Sequence, residues 1–103
     1  MAEALVKDKI IFVGKKKIAR NSNRFMVNIP SVFIGSIVEP GENVYVFLRH
    51  PKIGLIPLGN RKIVTVQTKT GKAYYVYVPK EILEFLKIFE VINDEFEIYI
   101  MRK

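Results

Sequence analysis

A mainly β chain with two short helices, built as two β-β-α-β repeats closing one pseudo-two-fold β-barrel, is the fold class this sequence predicts. Three observations carry that expectation. Residues 24–48 and 72–100 run through the same order: an alternating apolar stretch, a proline, a short apolar segment, a polar turn and a closing apolar strand. Pro30 maps onto Pro79 at an offset of 49, and Val46 onto Ile98 at an offset of 52. Before each proline, Phe25, Val27 and Ile29 in one copy and Tyr74, Val76 and Val78 in the other alternate with different neighbours, the period of a half-buried strand. Two copies of one supersecondary unit imply internal pseudo-symmetry.

The elements follow in order. Residues 9–19 alternate around a glycine and the run Lys15-Lys16-Lys17 and predict a strand with a solvated end. Asn21-Ser22-Asn23 is turn chemistry, because Asn tolerates left-handed backbone and Ser bonds locally. Val64 to Thr68, the turn Thr70-Gly71 and the strand to Val78 repeat the hairpin. Pro30 and Pro79 each end a strand and open a helix, since proline fixes φ near the helical value and drives its predecessor to extended geometry. After Pro79, the stripe of Ile82, Leu83, Phe85, Leu86 and Phe89 opposes Lys80, Glu81, Glu84 and Lys87. The helix after Pro30 has poorer formers, with Gly35 and β-branched Val32, Ile34 and Ile37, and Pro40-Gly41 stops it. Final strands at 44–48 and 96–100 close the copies. One compact domain over 1–103 is therefore expected, with a first repeat at 9–49, a Pro- and Gly-bearing linker at 50–60 and a second repeat at 61–103. A lone unit of this size buries too little surface, so two interlocked units sharing a barrel-like core are the stable solution.

Composition narrows the function. The chain has no cysteine, which excludes disulfides, thiol catalysis and Cys-based zinc sites and fits a cytoplasmic protein. No apolar stretch is long enough to span a membrane, and the amino end, with Lys7 and Asp8, has no signal core. The net charge is +7 and unevenly placed. Lys9 to Val38 holds six basic residues and no acid, and Asn43 to Lys80 holds seven and no acid. Each copy is basic before its proline and acidic after it, so a symmetric pairing could gather the basic halves on one face.

The ordered set Asn23-Arg24, Ile29-Pro30 and Pro40-Gly41-Glu42, then Gly71-Lys72, Val78-Pro79 and Asn93-Asp94-Glu95, resembles the AbrB/SpoVT/MazE-like swapped-hairpin family, in a tandem arrangement similar to MraZ-type proteins. The resemblance covers nearly the whole chain after residue 9. It implies an interleaved barrel that one chain completes as a pseudo-dimer, or that two chains complete as a homodimer. It also implies double-stranded DNA as partner, met by basic residues on the hairpins, in a transcriptional regulator in the cytoplasm at the nucleoid, or in a host cytoplasm if the protein is viral. By position, Arg24 and Lys72 match the family's basic turn residue and Lys17 an upstream basic residue, whose counterpart at the 49-residue offset, Val66, is not basic.

The residues themselves agree with a nucleic-acid role. Lys15, Lys16, Lys17, Arg20, Arg24, Lys69 and Lys72 would neutralise phosphates. Arg20 and Arg24 have the fork for a guanine edge, and Asn21 and Asn23 suit an adenine edge, although the asparagines equally serve as turn formers. Tyr74, Tyr75 and Tyr77 beside Lys72 and Lys80 could stack single-stranded bases, but tyrosines on strands chiefly serve packing. Catalysis is not expected: His50 is the lone histidine, and no phosphate loop, nucleophile motif or metal spacing appears, so neither metal nor cofactor is implied. The alternative function is a protein-interaction module, antitoxin-like or an oligomeric scaffold; the absence of an acidic tail before Lys103 weighs against the antitoxin form.

Overall fold

Alternation sets the strands. Along β4 (Asn43–His50), Val44, Val46, Leu48 and His50 are buried and Tyr45 and Arg49 face out; along β8 (Glu95–Arg102), Phe96, Ile98 and Ile100 are buried. The computed structural model describes residues 10–102, so Lys9, the Lys7 and Asp8 of the amino end, and Lys103 lie outside the described residues. The remaining elements are β1 (Ile11–Lys17), β2 (Ala19–Asn21), β3 (Arg24–Ile29), β5 (Gly54–Lys62), β6 (Val64–Thr68), β7 (Gly71–Tyr77) and α1 (Lys80–Ile88).

Two four-stranded antiparallel sheets result. The first has the order β1-β8-β4-β5, the second β2-β3-β7-β6. Their apolar faces meet in one core, in which Val27, Ile29 and Val76 lie with Val46, Leu48, Phe96 and Ile98. Burial of each such side chain favours folding by roughly 1.5–3 kcal/mol. Chain direction carries β1 into β2 through Ile18, and β5 into β6 through Ile63. The bend at Ile63 is held by the Pro40-Gly41-Glu42 turn: Gly41 N–H donates to the Ile63 carbonyl (2.8 Å) and Ile63 N–H to that of Glu42 (2.9 Å).

Exchanging β1 with β5, β2 with β6, β3 with β7 and β4 with β8 turns each strand order into its own reverse. The registers behave the same way. Val27 pairs with Val76, 49 positions on, and Phe47 with Tyr99, 52 positions on. Every neighbouring pair in the first sheet joins a strand from before the β4–β5 turn to one from after it. A bulge recurs too: the β1–β8 register slips between Phe12 and Gly14, and the β4–β5 register skips Leu58 between Pro57 and Gly59. Val13 and Leu58, the extra residues, are both buried, and Gly14 and Gly59 follow them at φ of 139° and 83°, which glycine alone adopts at no steric cost. Two polar pairs tie the halves at matching places, Glu42 Oε2 to Arg102 Nε at 2.8 Å and Asp94 Oδ2 to His50 Nε2 at 2.9 Å.

Three expectations change. The two sheets stay open, and no closed barrel forms among the described residues. Among the described residues there is one α-helix, not two. After Pro30 only a single 3-10 turn forms (Ser31–Phe33), because Gly35 and the β-branched residues give little to propagate, and the Ser36 hydroxyl donates to the Val32 carbonyl (2.9 Å). After Pro79, α1 buries Leu83 and Leu86, with Glu81 in its first turn and Lys87 in its last, both matching the helix dipole. Residues 54–60 of the span read as a linker are strand, not connection; β5 is an edge strand, where Pro57 and a glycine-assisted bulge are tolerated.

Candidate nucleic-acid interface

The second sheet contains no acidic residue. Its strands and turns, 19–29 and 64–77, carry Arg20, Arg24, Lys69 and Lys72 against no Asp or Glu. Arg20, Arg24, Lys69 and Lys72 are all exposed. The acids among the described residues lie elsewhere: Glu39 and Glu42 before β4, Glu81, Glu84 and Glu90 on and after α1, and Asp94, Glu95 and Glu97 at β8. Of the basic residues that the sequence assigns to the hairpins, these four lie on the second sheet.

At the β2–β3 hairpin the turn is Ser22-Asn23, with Ser22 rather than an asparagine in left-handed backbone (φ 57°). Arg20 Nε donates to the Ser22 carbonyl at 3.1 Å, and its guanidinium carbon stands 5.7 Å from the Phe25 ring centre. Arg24 lies over Tyr77 at 4.6 Å. Both guanidiniums are thereby held by aromatic rings while keeping most donors free, which lowers the entropy lost on contact. Asn21 pairs opposite Arg24 on the ladder, and Asn23 is exposed in the turn.

At the β6–β7 hairpin the turn is Lys69-Thr70, with Gly71 opening β7. Gln67 Nε2 (3.0 Å) and Thr68 Oγ1 (2.9 Å) both donate to the Gly71 carbonyl and brace the turn from one side. Lys72 faces Gln67 across the ladder. Because β3 and β7 run antiparallel, the two turns lie at opposite ends of the sheet, roughly 30 Å apart at about 3.3 Å per residue.

Lys15, Lys16 and Lys17 do not join this face. They sit on β1 in the first sheet, where Lys15 pairs opposite Glu97 and Lys17 opposite Glu95, while Lys16 lies opposite Phe96. Glu97 also accepts from Arg49 Nη1 (2.8 Å) and from the Tyr99 hydroxyl (2.9 Å). The Arg49 bond, then that of Tyr99, hold the Glu97 carboxyl below its ordinary pKa, and the bond from Tyr99 to Glu97 raises that of Tyr99. Arg102 likewise holds Glu42 down against the desolvation that opposes it. Lys15 and Lys17 are therefore set opposite acids some eighty positions away in the chain.

Two residues near the first turn were not assigned to it in the sequence, where Lys80 was set beside the tyrosines and Lys87 on the polar side of the helix. Lys80 and Lys87 project from α1 into a groove of about 480 Å³ shared with Asn23, Arg24 and Tyr77, floored by Phe25 and Leu83, with Glu84 the one acid on its wall. Their signal was the proline: a strand-to-helix junction at Pro79 returns α1 beside the β2–β3 turn. His50 is held on both sides, its Nδ1 accepting from Lys52 N–H at 3.0 Å, which leaves Nε2–H to donate to Asp94. Among the described residues no group of three or more His, Cys, Asp or Glu clusters for a metal, and no helix is long and apolar enough to cross a membrane.

What the described residues define is a mainly β fold of two antiparallel sheets with one α-helix. Set against protein-family models, curated proteins and solved structures, the chain matches none of them.

Proposed function

We propose that this chain binds double-stranded DNA through the hairpins of its second sheet, as a transcriptional regulator or architectural factor at the nucleoid. The observation that carries the reading is the acid-free sheet with Arg20 and Arg24 at one end and Lys69 and Lys72 at the other. Neutralising phosphates needs positive charge undiluted by neighbouring carboxylates. The span of roughly 30 Å between the turns is close to the ~34 Å that separates successive half-sites on one side of B-DNA. The strand orders and registers support reading the chain as two interleaved repeats of the AbrB-like swapped-hairpin kind, one chain supplying a pseudo-dimer. Duplex is favoured over single strands because Arg24 already covers Tyr77, the tyrosine nearest the basic turn.

The test is fluorescence-anisotropy titration of random, AT-rich and single-stranded DNA across a salt series. The double variant Arg20→Ala/Arg24→Ala should lose most affinity for duplex with its melting temperature unchanged. Absence of duplex binding by the wild type at low salt would sink the proposal, and tighter binding to single strands would move the site to the tyrosines.

A further inference from the structure

The side of the first sheet turned away from the core breaks the usual rule. Where one face of an antiparallel sheet meets water, its outward positions are ordinarily polar. Here the middle outward row reads Phe12, Tyr99, Phe47 and Pro57 across β1, β8, β4 and β5, neighbours in register and without a charge among them. The Phe12 and Tyr99 ring centres are 5.4 Å apart. Ile10 (48 % exposed) and Leu55 (57 %) extend the row at diagonal corners, and Phe12 itself is 48 % exposed. A shallow depression of about 250 Å³ opens between Ile10, Leu55, Phe47 and Tyr99, with Arg49 at its wall. A contiguous apolar strip of this kind on a folded chain marks a contact surface.

We propose that this face docks a second copy of the chain. The strip is centred on the Phe47–Tyr99 pair, through which exchange of the two halves maps the sheet onto itself. Beside it runs a charged row in which Arg49 lies opposite Glu97. A copy turned about an axis parallel to the strands, between β4 and β8, sets β8 over the partner's β4. That rotation lays apolar row on apolar row. It also places Glu97 of each copy against the partner's arginine at position 49, closing a ring of four alternating charges. The same patch thus complements itself in shape and in sign, as an isologous interface requires. Four strands about 4.8 Å apart give a face roughly 19 Å wide, enough to bury on the order of 1,000 Å² in total, at the low end for a specific interface. The dimer is accordingly reversible and dissociates on dilution. It leaves both acid-free sheets facing outward, and it does not depend on DNA binding.

Sedimentation velocity of the full chain over a wide dilution series tests this. The wild type should pass from monomer to dimer, and Phe12→Glu, which puts a charge into the uncharged row, should weaken dimerisation about tenfold or more while its thermal melt is kept. Arg49→Glu should weaken it as well, and Arg49→Glu/Glu97→Arg should restore it, a rescue that general destabilisation does not give. A wild type monomeric at every concentration overturns the proposal. So does a dimer indifferent to Phe12→Glu and to the Arg49→Glu reversal, which puts the contact elsewhere. A chain that dimerises only when residues 1–9 are removed also overturns it, assigning the face to the chain's own amino end.

Discussion

At one end of the second sheet the β2–β3 ladder runs from Asn21–Arg24 to Ala19–Met26 and presents two arginines and two asparagines. At the other end the β6–β7 ladder runs from Thr68–Gly71 to Val64–Tyr75, so the hairpin is four residues longer and presents two lysines and a threonine turn. The scaffold is nearly the same and the chemistry is not. Guanidinium and carboxamide groups match base edges in bidentate geometry, whereas ammonium groups act as mobile point charges suited to phosphate. Under the proposed DNA-binding function one end would discriminate and the other hold, so a duplicated frame need not duplicate its role. A similar division separates the segments after the two prolines, where one half has α1 and the other a single 3-10 turn.

The largest effect should come from that second contrast. Leu86→Ala removes a fully buried anchor of α1 and should cost about 2–5 kcal/mol in chemical denaturation. Val32→Ala, in the exposed 3-10 turn, should stay within about 0.5 kcal/mol. Equal losses would mean that both segments support the core alike. Next come the hairpins. Each arginine of the pair Arg20 and Arg24 that meets a base should contribute about 1–3 kcal/mol of discrimination, lost in the alanine variants and read by selection from a random-duplex pool. Lys69→Ala/Lys72→Ala should weaken all duplexes alike and lower the salt slope by about 2. If the lysine variant relaxes sequence preference instead, the division of labour is wrong.

Smaller effects separate the two polar ties. His50→Ala leaves the Lys52 N–H without its acceptor and should cost about 1–3 kcal/mol. Arg102→Ala, at the matching exposed pair, should lower the melting temperature less. The smallest is acid sensitivity. Glu42 and Glu97 are held below their ordinary value near 4.5, so their contribution is present above that pH and fades as pH falls through the lowered values. Tyr99 is held above its ordinary 10.0, so its contribution is present below that pH and fades as pH rises past it. A melting curve measured against pH should droop at both ends, and Arg49→Ala should flatten the acid limb.

Much of this architecture was legible in the residues. The alternation of Phe25, Val27 and Ile29, the junction at Pro79 and the stripe of α1 each predict the element that forms. The hidden element was β5. Pro51, Gly54, Pro57 and Gly59 read as a linker because the same residues that break central strands are harmless at an edge. Missing β5 also misaligned the copies upstream. Ladder positions place Lys62, opposite Asn43, where Lys17 lies opposite Glu95, so the partner of Lys17 is basic after all; the extra hairpin length shifts the offset from 49 to 45. In the candidate site, Arg20 and Arg24 were visible as charges beside a turn. The placing of Lys15 and Lys17 opposite acids was not, since cross-strand neighbours far apart in the chain leave no local pattern.

The turn at Pro51–Ile53 is the one covalent tie between the halves, yet every ladder of the first sheet crosses from one half to the other. A protease cut there would sever the backbone without parting the molecule. The two fragments, each lacking the neighbours its strands require, would persist as an obligate pair, folding only in each other's presence.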